Sequence, residues 1–311
     1  MAADGAEATR SAPEALSLES AKAHVRAVME ASGTSFGPGM RILPKPRREA
    51  MFAVYAFCRE IDDIADEGGD VEAKRAGLAA WRDEIARLYA GRPAAPTSIA
   101  LAPAVEAYGL ERREFELLIE GMEMDAEGPI QAPPLETLYA YTRRVAGAVG
   151  KLSMPIFGAA PGEASDRFAL ALGDAFQLTN ILRDVREDAE IDRLYLPQEL
   201  IRRAGIETDA PAAVAADPRL GDVCAPLART AWRRFEEARG LIDALGRANV
   251  RPALVMMGVY ETYLAEMEAR GWARAGEPVK LPKWKKLAAG LRYAFGPPAG
   301  VAPPAALAGE A

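Results

Sequence analysis

Two groups of aspartates in this 311-residue chain sit on sequence otherwise suited to a protein interior. The first is Asp62, Asp63 and Asp66, a D-D-x-x-D pattern closing the apolar run that begins at Met51. At about 100° per residue, Tyr55, Arg59, Asp62 and Asp66 share one helical face, with Asp63 at its edge. The second comprises Gln177, Asn180, Asp184 and Asp188, spaced by three, four and four residues, with Arg183 beside them. Unpaired carboxylates on buried helices are costly, so each stripe must line a polar cavity or meet counter-charges. A D-D-x-x-D alone also fits a solvated acidic face. Two such stripes, each flanked by apolar residues and interleaved with arginine, do not.

All these side chains are oxygen donors, amides or guanidiniums. The single histidine, His24, and the two cysteines, Cys58 and Cys224, exclude a multi-histidine or zinc–thiolate site. His24 lies in a polar amphipathic segment and is expected to face solvent. Metal chemistry here is therefore oxygen-ligated, which favours Mg²⁺, with Mn²⁺ the alternative. Two facing carboxylate clusters can hold divalent ions by one or two contacts each, leaving positions open for phosphate oxygens. Arginine suits the forked recognition of those oxygens. Together they would neutralise a diphosphate leaving group, and an apolar cavity would shield the resulting allylic cation from water.

The elements that must position these residues read as helices. Apolar residues recur at three- and four-residue spacing near 17–32, 47–67, 72–90, 111–127, 134–150, 164–190, 222–246 and 251–271. Short breaks such as Gly68-Gly69 and Pro133-Pro134 separate them. No alternating strand pattern, internal repeat or long linker competes. The expectation is a single all-α domain over 15–295, between tails at 1–14 and 296–311 that read as disordered.

These residues resemble the squalene/phytoene synthase family over most of the chain, from about Ser32 to about Arg270. Residues 55–66 are similar to its first acidic motif, and residues 177–197, ending Asp-Arg-Leu-Tyr-Leu-Pro, to its long second signature. Residues 121–125 and 145–150 fit intervening elements, and Ser35-Phe36 the N-terminal one. The resemblance implies a prenyl synthase bundle around a central cavity, and head-to-head coupling of two prenyl diphosphates through a cyclopropyl intermediate. It also implies roles. Asp62, Asp66, Asp184 and Asp188 would bind metal, with Asp63 assisting. Arg59, Arg183 and Arg193 would contact diphosphate, with Ser35 and Phe36 also at the substrate. Tyr55, Gln177 and Asn180 would line the site, with Tyr195 and Tyr260 weaker candidates.

Two departures matter. Asp192 stands where the second signature has glycine before its arginine, and aspartate tolerates the left-handed geometry such a turn needs. Arg144 stands where family members that complete the reduction to squalene carry tyrosine. The string Arg144–Ser153 instead resembles the bacterial hopanoid-pathway members, which join two farnesyl diphosphates and stop at presqualene diphosphate. That reading needs no NADPH and implies partner enzymes that consume the cyclopropyl product. Arg144 reads equally as a solvent-facing helix residue. Phytoene, dehydrosqualene or complete squalene synthesis stays open, as does a non-catalytic lipid-binding or assembly protein, although such a protein would be expected to lose one acidic cluster.

The net charge of −7 argues against nucleic acid as a partner. Cysteine usage points to a reducing, cytoplasmic setting, and the sequence has neither a signal peptide nor a membrane-spanning run. Residues 280–295 are basic and amphipathic, which fits either a terminal helix packed on the core or peripheral contact with the inner face of a membrane.

Overall fold

Alanine and large aliphatic residues at helical spacing give each long segment a continuous apolar face, and burying those faces against one another produces one all-α domain. The computed structural model describes residues 16–32, 37–66 and 70–296. The tails expected at 1–14 and over 296–311 lie outside the described residues, except for Gly296, and so do Ser35 and Phe36.

The N-terminal half comprises α1 (Leu18–Ser32), the short α2 (Gly37–Arg41), α3 (Lys45–Asp66), α4 (Val71–Tyr89), α5 (Pro96–Tyr108) and α6 (Arg112–Ala126). Next, α7 (Leu135–Thr142) runs through a π-turn at Arg143–Gly147 into α8 (Ala148–Phe157). The longest helix, α9 (Glu163–Glu190), precedes two short ones, α10 (Gln198–Arg203) and α11 (Pro211–Ala216). Then come α12 (Leu220–Gly240), α13 (Ile242–Leu245), α14 (Arg247–Ala269), a 3-10 turn at Trp272–Arg274 and α15 (Lys283–Phe295). Among the described residues no strand forms; a lone parallel bridge joins Gln131 to Leu194.

Helix α5 was not expected, because its Ala- and Pro-rich sequence lacks a clear polar face. Tertiary context supplies what propensity does not. Glu84 of α4 accepts hydrogen bonds from the Ala94 and Ala95 amides and from the Ser98 hydroxyl, so a buried carboxylate caps the N-terminus of α5. Pro96 occupies the first turn, where no amide is needed, and Gly109 ends the helix at φ 61°. The helix expected over 222–246 is likewise broken at Leu241, between α12 and α13.

Helices α3, α8, α9, α14 and α2 touch in sequence and close a ring around a central cavity. Helices α1 and α5 back α3 from outside, and α12 backs α9. The π-turn enters this wall because α9 has Gly173 opposite it. A Cβ there would meet the Gly147 nitrogen at 2.8 Å, so any larger residue would force α9 away from the turn.

Candidate active site

The cavity enclosed by this ring has a volume of about 410 Å³, within the usual range for a small-molecule site. Its floor and walls are apolar, with Met40, Met51, Met122, Met154, Met256, Phe157 and Phe168 among the lining residues. One end is polar. There α3 contributes Tyr55, Arg59 and Asp62, and α9 contributes Gln177 and Asn180. Helices on opposite walls thus bring the near ends of the two sequence stripes to one chamber. Tyr260 of α14 lines it too, stacked on Phe176 with centroids 4.3 Å apart.

Asp63, Asp66, Arg183, Asp184, Asp188 and Arg193 are not part of the cavity lining. Asp63 adjoins Asp62; Asp66, Arg183, Asp184 and Asp188 lie about one turn or more farther along α3 and α9, and Arg193 lies in the turn after α9. Each arginine is paired with a cluster aspartate. Arg59 bonds Asp63 and lies 3.4 Å from Asp62. Arg183 holds Asp184 with both ends of its fork, at 2.7 and 2.6 Å. Arg193 reaches Asp66 at 2.9 Å.

The pairing does not satisfy the carboxylates evenly. Burial, then the neighbouring Asp66, pushes the Asp62 carboxyl up to about 6. Burial, then Asp184, pushes Asp188 up to about 7. Asn180 Oδ1 is buried without a hydrogen-bond partner. Under-compensated acids beside an orphaned acceptor form a donor set suited to a hard cation. Among the described residues no three acidic or thiol side chains converge closely enough to hold an ion by themselves. The set therefore fits an ion that arrives with phosphate oxygens completing its shell, and the interleaved arginines fit the same phosphate.

The second signature ends in a turn that aims Arg193. Asp192 adopts φ 63°, the left-handed geometry that its replacement of glycine requires. The turn is pinned from both sides. The Leu194 amide donates to the Ile130 carbonyl at 2.7 Å, and the Gln131 side chain donates to the Asp192 carbonyl at 3.1 Å.

Tyr195 does not line the cavity. Its hydroxyl and that of Tyr141 each donate 2.9 Å bonds to Asp125, one to each carboxylate oxygen, and the two rings stack at 5.2 Å. Asp125 was assigned no role from sequence, although it continues the buried Leu118–Met122 face of α6, where a carboxylate needs partners. Arg144 also points away from the cavity. It bonds Glu120 at 3.3 Å and the Ala140 carbonyl at 2.9 Å, while its neighbours Val145 and Ala146 form the wall. His24 bonds Glu60 at 2.9 Å, outside the lining. Cys58 does line the cavity, with its thiol pushed up to about 12 by burial, as an apolar neighbour of Asp62. Tyr263 was missed altogether: its ring lies 5.2 Å from both the Arg183 guanidinium and the Lys286 ammonium.

A family model described as squalene/phytoene synthase matches residues 29–285. A presqualene diphosphate synthase from Rhodopseudomonas palustris is 47% identical over 265 residues, covering 85% of this chain and 94% of that protein. A phytoene synthase from Thermus thermophilus is 35% identical, covering 83% of this chain and 87% of that protein. The crystal structure of the squalene synthase HpnC from Alicyclobacillus acidocaldarius superposes with a TM-score of 0.75 at 27% identity, covering 84% of this chain and 97% of that one.

Proposed function

The chain belongs to the squalene/phytoene synthase family, and on that premise we propose that it joins two farnesyl diphosphates head to head into presqualene diphosphate. It is a prenyltransferase. The observation that carries this reading is the single cavity lined by Tyr55, Arg59 and Asp62 from one wall and Gln177 and Asn180 from the other. Higher identity to a presqualene diphosphate synthase than to a phytoene synthase favours the farnesyl substrate and the cyclopropyl product.

Asp62, Asp66, Asp184 and Asp188, with Asp63 assisting, would hold Mg²⁺, and Mn²⁺ has the same oxygen preference. Bound, the cation neutralises the diphosphate and makes it a better leaving group. The chain's own residues do the rest. Arg59, Arg183 and Arg193 exchange their aspartate partners for phosphate oxygens, so positive charge is already in place when the C–O bond breaks. Tyr55 and Gln177 close the polar end, and Asn180 Oδ1 presents an open acceptor there. Below them the methionines and the Phe176–Tyr260 stack keep water from the allylic cation. One diphosphate and one proton leave, and the freed diphosphate accepts the proton, so no histidine base is needed. The product keeps the second diphosphate, so partner enzymes that act on presqualene diphosphate would consume it. Because substrates and product carry long apolar tails, we propose that the chain works at a membrane surface, in peripheral contact through residues 280–295.

The reading is tested by stoichiometry. With Mg²⁺, the chain should release one inorganic diphosphate per two farnesyl diphosphates consumed and prefer farnesyl to geranylgeranyl diphosphate. Preference for the longer chain, or no release, would contradict it.

A further inference from the structure

Helix α15 has apolar residues on both of its faces. The inner face, with Gly290, Tyr293 and Ala294, packs tightly on α14. Glycines permit the approach: a Cβ on Gly258 of α14 would meet the Ala289 carbonyl oxygen at 2.6 Å. The outer face carries Trp284, Leu287, Leu291 and Phe295, which are 70%, 56%, 47% and 63% exposed. At about 100° per residue these four fall within about 80° of one another. Among the described residues, the other exposed large apolar side chains are scattered singly or in pairs over separate segments.

Charge says what this face fits. Lys280, Lys283, Lys285, Lys286 and Arg292 lie between 280 and 295 without a single acidic residue, in a chain of net charge −7. On the helix, Lys283 flanks one side of the apolar stripe, and Lys285 and Arg292 the other. Lys285 pairs with Glu266, but Lys283 and Arg292 are exposed and make no ion pair among the described residues. A second copy of the chain would set cation against cation along both flanks. An anionic bilayer complements both features, taking the rings and aliphatic side chains at the acyl boundary and the cations at the headgroup phosphates.

We infer that the outer face of α15 docks the chain on an anionic lipid surface, with Trp284, Leu287, Leu291 and Phe295 inserted and Lys283 and Arg292 at the phosphates. This deepens the membrane placement proposed above, but it stands on the exposed face and not on the diphosphate chemistry. Its consequence is positional. Helix α14 packs α15 on one side and lines the cavity with Pro252, Ala253, Met256 and Tyr260 on the other. Two helices, α15 and α14, therefore lie between the lipid and the apolar chamber.

The full chain should co-sediment with vesicles of phosphatidylcholine and phosphatidylglycerol, and weakly with phosphatidylcholine alone. The double substitution Trp284→Ser with Leu287→Ser should lower partitioning about tenfold or more, because insertion scales with buried apolar area. Lys283→Glu with Arg292→Glu should abolish the preference for anionic vesicles. Thermal unfolding and turnover of detergent-dispersed substrate, unchanged in the serine variant, show that the fold and the site persist. A folded serine variant that sediments like the parent would overturn the inference. So would a parent chain that ignores anionic vesicles, or one whose outer face proves to be the interface of a dimer that the serine variant dissociates. A chain that binds vesicles yet turns over no substrate would keep the docking face and remove the reaction.

Discussion

Arg193, in the turn after α9, reaches Asp66, the last residue of α3, across a 2.9 Å ion pair. It ties the end of α3 to the segment that follows α9, and it is held by a turn rather than a helix. The Asp192 φ of 63° and the Leu194 amide bond to Ile130 fix where it points. Arg193 is mostly buried while Asp66 is half exposed, so the pair adds little to stability, but it stations a guanidinium between the clusters.

Arg193→Gln should therefore lower kcat/KM by about 10²-fold or more, the size expected for losing one preorganised charge at a diphosphate. Unfolding free energy should change by less than about 1 kcal/mol. Steady-state kinetics alongside denaturant unfolding separates the two effects.

Asp62→Asn and Asp184→Asn should each cut turnover by about 10²–10³-fold or more. The Asp62 change should not lower the unfolding midpoint of the metal-free protein at about pH 8, and should raise it slightly, because it removes a carboxylate whose ionised form burial and Asp66 disfavour. Calorimetry and a diphosphate-release assay check both. Near-normal activity in either variant would remove the two-cluster mechanism.

Protonation should oppose ligand binding. The raised Asp62 and Asp188, at about 6 and about 7, bind protons more tightly in the folded than in the unfolded chain. The stability they contribute is present at low pH and is lost as pH rises through those values. Cation binding needs the ionised forms and runs the other way. Thermal protection by Mg²⁺ with inorganic diphosphate should be small near about pH 5.5 and grow toward about pH 8, with kcat/KM falling on the acid side. Protection that is equal at both ends would contradict the assignment of these acids to the cation.

Asp125→Ala should destabilise the fold by about 2–4 kcal/mol, because the buried Tyr141 and Tyr195 hydroxyls both lose their acceptor. Tyr195→Phe, which removes one of the two bonds, should cost about 1–2 kcal/mol. Chemical denaturation of the two variants measures the difference.

The aspartate stripes were legible because carboxylates on an apolar helix violate its pattern, and the pattern's period places them on one face. Asp192 was legible through the family resemblance, as an aspartate where the second signature has glycine, and its φ of 63° shows the geometry that glycine would supply. The Asp125–Tyr141–Tyr195 cluster was not, because its members come from three segments and only packing brings them together. Nor was the orientation of Arg144, which a π-turn rotates toward Glu120 while its neighbours line the wall. A regular 3.6-residue period does not report that extra residue in the turn. Helix α5 escaped for a third reason: its N-terminus is capped by Glu84, from another helix.

The central claim is that this site joins two farnesyl diphosphates and stops. Incubation with Mg²⁺ and labelled farnesyl diphosphate, with and without NADPH, followed by identification of the product, tests it directly. The account predicts presqualene diphosphate under both conditions. Squalene in the presence of NADPH would contradict it.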